Sequence, residues 1–303
     1  MKFAAIDIGS NAIRLLIEEV HTDQGQYHIE KVSLTRVPVR LGEDVFIRGK
    51  VSKERMRQLV KTMKAFWNLM EVHHVVYFRA CATSAMREAR NRREVLNKVR
   101  KEAGIDIEVL SGDEEAELIF SNYFTQNLKT DQNFLYIDVG GGSTELTLIE
   151  EGVRKRSKSF DVGTVRMLAG AVKPNEWKRI RAWLAESIVP GKPLTGIGTG
   201  GNVNTMFKLQ GKKMQETISR REVQEQHEYL RSFTLEQRIV RLRMKPDRAD
   251  VILPAAQIYL TIMDYAGIEE MIVPKIGLSD GIILDMFNAW KASPARFEKD
   301  YVA

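Results

Sequence analysis

Two short turns each follow an acid at the end of an apolar run. FAAIDIGSN (3–11) carries Asp7, Gly9, Ser10 and Asn11, and FLYIDVGGGSTE (134–145) carries Asp138, Gly140, Gly141, Gly142 and Ser143. An acid closing a buried strand costs free energy unless it is paired, hydrogen-bonded or on a metal. A glycine turn lets backbone N–H groups converge on an oxyanion with no Cβ in the way. Serine hydroxyls and the asparagine amide add further donors. Two such turns facing each other across a cleft would cradle phosphate groups, with Asp7 and Asp138 available to a hard cation such as Mg²⁺. The triple-glycine turn is the stronger half, because a plain hairpin needs far fewer glycines. For Asp7 the competing explanation is an Asx turn.

Three further stretches carry chemistry. RACATSAMREARNR (79–92) puts small residues at the opening of a helix after an apolar run, where free N–H groups and the helix dipole favour anions. Arg87 lies near that start and suits a bidentate phosphate contact; Arg92 and Arg93 read as solvated helix charges. In SGDEEAELIF (111–120), Ser111 and Glu114 fit a capping box, which gives Glu114 a structural role. Glu115 shares its helix side with Leu118 and Ile119. An acid on the buried edge of a helix start is the better candidate for a general base. Gly196, Gly198 and Gly201 in TGIGTGGNVNTMFKL (195–209) match G-x-G-x-x-G, a weak dinucleotide signal so late in the chain. A second backbone–anion loop before a helix is the better reading. No G-x-x-x-x-G-K-[ST] loop, H-E-x-x-H pair or His-Asp dipeptide occurs.

The elements that must position these residues alternate strand-like and helix-like runs, which makes the class α/β. Strand-like runs are FAAIDI, AIRLLIEEV, VVYF (75–78), IDIEVL (105–110), FLYIDV and ELTLIEE; helix-like runs cover 51–70, 87–104, 112–124, 174–188, 248–267 and 279–290. Overlaid without gaps at an offset of 131, the two acid-bearing stretches match Phe3 to Phe134, Ile6 to Ile137, Asp7 to Asp138, Gly9 to Gly140 and Leu15 to Leu146. Each unit reads strand, acid, glycine turn, strand. The pattern predicts two copies of one lobe, 1–128 and 129–303, with the last helix (about 287–303) packing back on the first lobe.

The chain has 303 residues, enough for about two domains. A net charge of +6 favours anionic partners, and its basic runs (RKRSK, RIR, RIVRLRMK) are local. No aromatic-rich basic platform speaks for nucleic acid. No apolar run reaches the roughly 18 residues of a membrane span, and Asp7 interrupts what would be a signal sequence. The single cysteine, Cys81, excludes an internal disulfide. The expected location is cytoplasmic.

The motifs together resemble the exopolyphosphatase/guanosine pentaphosphate phosphohydrolase (Ppx/GppA) family in its short two-domain form. They are AAIDIGSNAIRLLI (4–17), RLGEDVFIRGKVS (40–52), ATSAMREARN (82–91), SGDEEAELIF (111–120), YIDVGGGSTEL (136–146), VGTVRML (162–168), GTGGNVNTM (198–206), RADVILPAAQI (248–258) and GLSDGIILDM (277–286). They run in family order over nearly the whole chain. The resemblance implies two duplicated actin-like (ribonuclease H-like) lobes with a cleft between them. It implies a hydrolase that removes terminal phosphate from inorganic polyphosphate, or the 5′ γ-phosphate from guanosine pentaphosphate. A non-catalytic sensor of the same ligands and a kinase of the same superfold are the rivals. By the same resemblance Glu115 is the catalytic base. Asp138, Asp7 and Glu145 lie at a divalent metal. Gly9, Ser10, Asn11, Arg87, Gly140–Ser143, Gly200 and Gly201 contact phosphate. Mg²⁺ or Mn²⁺, with K⁺, are the implied cofactors, and a homodimer the implied assembly. Asn202 and Asn204 stand where relatives often carry Thr, and Asp280 where Glu is frequent.

Overall fold

The computed structural model describes residues 1–23, 26–127, 132–213, 216–274 and 276–294. The chain begins β1 (Lys2–Ile8), β2 (Ile13–Asp23), β3 (Gln26–Val37), α1 (Leu41–Arg48), α2 (Lys53–Val72), β4 (Tyr77–Ala82), α3 (Ser84–Glu88), α4 (Arg92–Ala103), β5 (Glu108–Val109) and α5 (Gly112–Asn127). It continues with β6 (Asn133–Val139), β7 (Thr144–Glu150), β8 (Val153–Phe160), α6 (Thr164–Leu168), α7 (Glu176–Ser187), β9 (Leu194–Thr199) and α8 (Gly201–Leu209). Last come β10 (Thr217–Ser219), α9 (Arg220–Arg231), α10 (Leu235–Val240), α11 (Pro246–Ala249), α12 (Ile252–Ala266), β11 (Glu270–Ile272) and α13 (Leu278–Ala292). Two compact units result: Met1–Gln126 with Gly277–Ala303, and Asn127–Ile276. Helix α13 therefore groups with the first unit. The boundary expected at 128/129 and the expected packing of 295–303 lie outside the described residues.

The two sheets repeat one plan. A three-stranded meander is extended on its first strand by parallel strands: β3-β2-β1-β4-β5 in the first unit, and β8-β7-β6-β9-β11, with β10 at the far edge, in the second. The register repeats as well. Asp7 opposes Arg14 and Asp138 opposes Glu145, while Asp7 neighbours Cys81 on β4 and Asp138 neighbours Thr199 on β9. Gly9 N–H donates to Ala12 carbonyl at 3.1 Å and Gly140 N–H to Ser143 carbonyl at 3.0 Å, which closes both turns at the same offset. The class is α/β with two duplicated lobes, as the sequence predicts.

Strand alternation places the core. In the first unit Ala4, Ile6, Ile8, Ile13, Leu15 and Ile17 pack with Met56, Leu59, Met63 and Phe66 of α2 and Val95 and Val99 of α4. Helix α2 forms because its apolar residues recur at helical spacing and the Ser52 side chain caps it, accepting from Arg55 N–H. Phe3 meets Phe287 of α13 edge-on at 6.2 Å. A Cβ on Gly281 would lie 2.1 Å from Leu118 carbonyl oxygen, so glycine there lets α13 lie against the α5 backbone. In the second unit Leu135, Ile137, Val139 and Leu146 pack with Ile180, Leu184, Met206, Ala256 and Met263.

Several elements differ from the sequence reading. VVYF becomes Tyr77–Ala82, and IDIEVL shrinks to Glu108–Val109. The edge strands β3 and β8 lie outside the strand-like runs; β8 (VRKRSKSF) lacks apolar alternation because it is a charged edge strand, while β3 alternates at Tyr27/Ile29 and Val32/Leu34. TGIGT is the strand β9, not a loop. Gly196 and Gly198 make room there for Met271, whose sulfur would lie 2.4 Å from a Cβ at Gly198. Among the described residues, no helix is long and apolar enough to cross a membrane.

Candidate functional site

In the second unit, the glycine turn between β6 and β7 is held from behind by α6. The Gly140 carbonyl accepts from Thr164 N–H at 3.0 Å, and the Gly141 carbonyl from Val165 N–H at 2.8 Å and Arg166 N–H at 3.1 Å. The Gly142 carbonyl accepts from Arg166 Nε at 2.6 Å. In a trans peptide the next N–H points opposite to the carbonyl. The N–H groups of Gly141, Gly142 and Ser143 are therefore directed away from α6, as a set of donors fit for an oxyanion. A Cβ on Gly163 would sit 2.5 Å from Gly142 backbone atoms, so only glycine lets α6 come this close. The buried Arg166 fixes the turn and was not picked out from sequence, although VGTVRML carries it.

The acids of this unit sit on adjacent strands. Asp138 Oδ1 accepts from Thr199 Oγ1 at 2.9 Å. Glu145, opposite in register, is buried, and its Oε1 accepts from Ser143 Oγ at 2.7 Å and Ser159 Oγ at 2.9 Å. Gly200, at φ 108°, lies in the left-handed region that disfavours side chains, and a Cβ there would be 3.4 Å from Asp138 Oδ1. Gly201 opens α8 beside Arg248, which donates to Asn202 Oδ1 at 2.8 Å. A Cβ on Gly201 would meet the Arg248 guanidinium at 2.3 Å.

The first unit has the same turn with different chemistry around its acid. The Ser10 carbonyl accepts from Gly42 N–H at 2.8 Å and the Asn11 carbonyl from Arg40 N–H at 3.0 Å, so α1 and its approach play the part of α6. Arg40 takes a left-handed conformation, φ 55°, unusual for a residue with a side chain, at this junction. The N–H groups of Asn11 and Ala12 consequently point away from α1. Ser10 Oγ lies 2.9 Å from Ser84 Oγ, which ties the turn to the start of α3. Buried Asp7, however, is held by the Arg14 guanidinium. Arg14 sits where Glu145 sits in the second unit, a difference visible in the sequence overlay but not drawn from it.

The adjacent acids of α5 part company. Glu114 closes the capping box: its Oε2 accepts from Ser111 N–H at 2.7 Å, and its own N–H donates to Ser111 Oγ at 3.2 Å. These bonds, that from the Ser111 backbone first, hold the Glu114 carboxyl below its ordinary range. Glu115 is 8% exposed, and its Oε2 lies 3.6 Å from Arg87 Nη1, which also donates to the Leu110 carbonyl. The structure thus brings Arg87 and Glu115 together, and Ser10 with the small-residue stretch that precedes Arg87.

Among the described residues, no cluster of three or more His, Cys, Asp or Glu side chains is arranged to hold a metal. Asp138 and Glu145 form a pair of hard oxygen donors. That fits Mg²⁺, which keeps several waters and uses one or two carboxylates with substrate phosphates. It does not suit a cation needing a full protein cage.

The profile of the Ppx/GppA phosphatase family matches residues 20–289. Exopolyphosphatase 2 of Mycobacterium tuberculosis is 28% identical, over 94% of this chain and 98% of its own length. Exopolyphosphatase 1 of the same organism is 25% identical, over 100% of this chain and 93% of its own. The crystal structure of an exopolyphosphatase from Cytophaga hutchinsonii superposes with a TM-score of 0.80 at 23% identity, covering 95% of this chain and 98% of that one. It shares the two-lobe actin-like fold.

Proposed function

The chain belongs to the Ppx/GppA phosphatase family, and on that premise we propose that it is an exopolyphosphatase that cuts the terminal phosphoanhydride of inorganic polyphosphate with water. Supporting this are the two M. tuberculosis exopolyphosphatases, matched over nearly their full lengths. The observation that carries the chemistry is the division between two neighbouring acids. Glu114 is consumed by its helix cap, whereas Glu115 is buried beside Arg87.

Phosphoryl transfer needs positioning and charge neutralisation more than covalent chemistry. In the proposed step Glu115 accepts a proton from water as the water oxygen bonds to the terminal phosphorus. The bridging P–O bond breaks, and the shortened chain leaves with its electron pair. N–H groups of Gly141, Gly142 and Ser143 and of Asn11, in turns closed by the Gly140 and Gly9 N–H groups, and those of Gly200 and Gly201 at the start of α8, donate to phosphate oxygens, with the Ser10 hydroxyl beside them. Arg87 orients Glu115 and offsets developing charge. Asp138 and Glu145 would hold Mg²⁺ or Mn²⁺, with Asp7 as the weakest of the three carboxylates because Arg14 already engages it. A divalent ion there would neutralise phosphate charge and polarise the anhydride. K⁺ and a homodimer are proposed on the resemblance alone.

The test is phosphate release with Mg²⁺ from short polyphosphate, long polyphosphate and guanosine pentaphosphate in parallel. Release from polyphosphate supports the assignment. Release from guanosine pentaphosphate alone moves it to the nucleotide, and tight binding without release makes the chain a sensor.

A further inference from the structure

The face of the second sheet that carries Asp138 also carries a line of hydroxyls. Asp138 Oδ1 accepts from Thr199 Oγ1 at 2.9 Å, and the same Thr199 oxygen is bonded to the phenol of Tyr136. A threonine hydroxyl has one proton. That proton points at the carboxylate, so the phenol must donate to Thr199. The order is Tyr136 O–H to Thr199 Oγ1, then Thr199 O–H to Asp138. Tyr136 is 1% exposed and Thr199 is fully buried. Tyr259 fixes the same residue from its backbone side, with its phenol donating to the Thr199 carbonyl.

The first unit is the internal control. Tyr136 corresponds to Ala5 at the 131 offset. Thr199 holds the same register position beside Asp138 that Cys81 holds beside Asp7. Neither Ala5 nor Cys81 can supply such a relay, and there the acid is met by the Arg14 guanidinium. The two solutions differ in kind: a guanidinium holds its carboxylate through a charged partner, whereas the hydroxyl relay fixes one carboxylate oxygen through neutral groups.

We propose that Tyr136 and Thr199 are positioning residues that hold the Asp138 carboxylate in a fixed orientation for a divalent cation. This rests on the reading of Asp138 as a metal ligand. Outer partners of this kind orient a ligating carboxylate, and their loss typically weakens metal binding about 10–100-fold.

The test uses the full chain freed of metal, with Mn²⁺ as the probe. Binding is measured by calorimetry and by loss of the free-ion paramagnetic signal, with near-ultraviolet circular dichroism reporting the fold. Tyr136→Phe and Thr199→Val should each bind Mn²⁺ about 10–100-fold more weakly. Thr199→Ser, which keeps the hydroxyl, should bind as the wild type does. Asp138→Asn is the reference. Asp138→Asn with wild-type binding would overturn the metal assignment, and the proposal with it. Lost binding in Asp138→Asn with wild-type binding in Tyr136→Phe and Thr199→Val would overturn the proposal alone. If Thr199→Val fails to fold, Tyr136→Phe decides, since it removes a single oxygen.

Discussion

Glu18 should make the first unit lose stability as pH rises from mildly acidic through about 7. It lies on β2, is 7% exposed, and has two charged neighbours from separate elements. Lys31 on β3 is 4.0 Å away, and Lys31 is itself bonded at 2.8 Å to Asp280 of α13. Burial first, then Asp280, raise the Glu18 carboxyl from its ordinary 4.5 to about 7, against the smaller lowering effect of Lys31. The folded state therefore holds a proton that the unfolded chain has released between pH 4.5 and 7. The stability is fully present below pH 4.5 and is lost as pH rises through about 7. At about 1.4 kcal/mol per pH unit the full effect is about 3 kcal/mol, of which about 2.5 kcal/mol falls between pH 5 and pH 8. Glu18→Gln mimics the protonated form at every pH. Urea unfolding followed by circular dichroism at the two pH values is the assay. The variant should be more stable than wild type at pH 8, with a difference that shrinks toward zero at pH 5. An equal loss of stability at both values would refute the reasoning, because the carboxyl would then be ionised in the folded state throughout.

Two further substitutions probe the turns. Gly163→Ala puts a methyl 2.5 Å from Gly142 backbone atoms, so α6 must move off the glycine turn. Destabilisation of about 1–3 kcal/mol and a raised KM for phosphorylated substrate should follow, read by urea titration and steady-state kinetics. Arg14→Met leaves Asp7, 4% exposed, without its guanidinium and should cost about 1–3 kcal/mol in the same titration.

Much of this was legible because the signal was local and periodic. The acid-and-glycine turns, the duplication at an offset of 131 and the Ser111–Glu114 cap are short-range patterns, and each has its counterpart in the fold. What escaped depends on partners distant in sequence. Arg14 reads as one charge in a strand until its register against Asp7 is known. Tyr136 reads as one more apolar residue of FLYIDV until β9 brings Thr199 beside it. The glycines of TGIGTG resemble a phosphate fingerprint, yet Gly196 and Gly198 make room for the Met271 side chain of the neighbouring strand. The path of α13 into the first unit was only partly readable, since Gly281 matters through its approach to the Leu118 backbone.

The most direct measurement is kcat for phosphate release from polyphosphate by Glu115→Gln and Glu114→Gln, side by side with wild type. Glu115→Gln should lose about 10²–10⁴ in kcat. Glu114→Gln, which changes an exposed cap that glutamine can also form, should stay near wild type. Near-normal turnover by Glu115→Gln would contradict its role as the base.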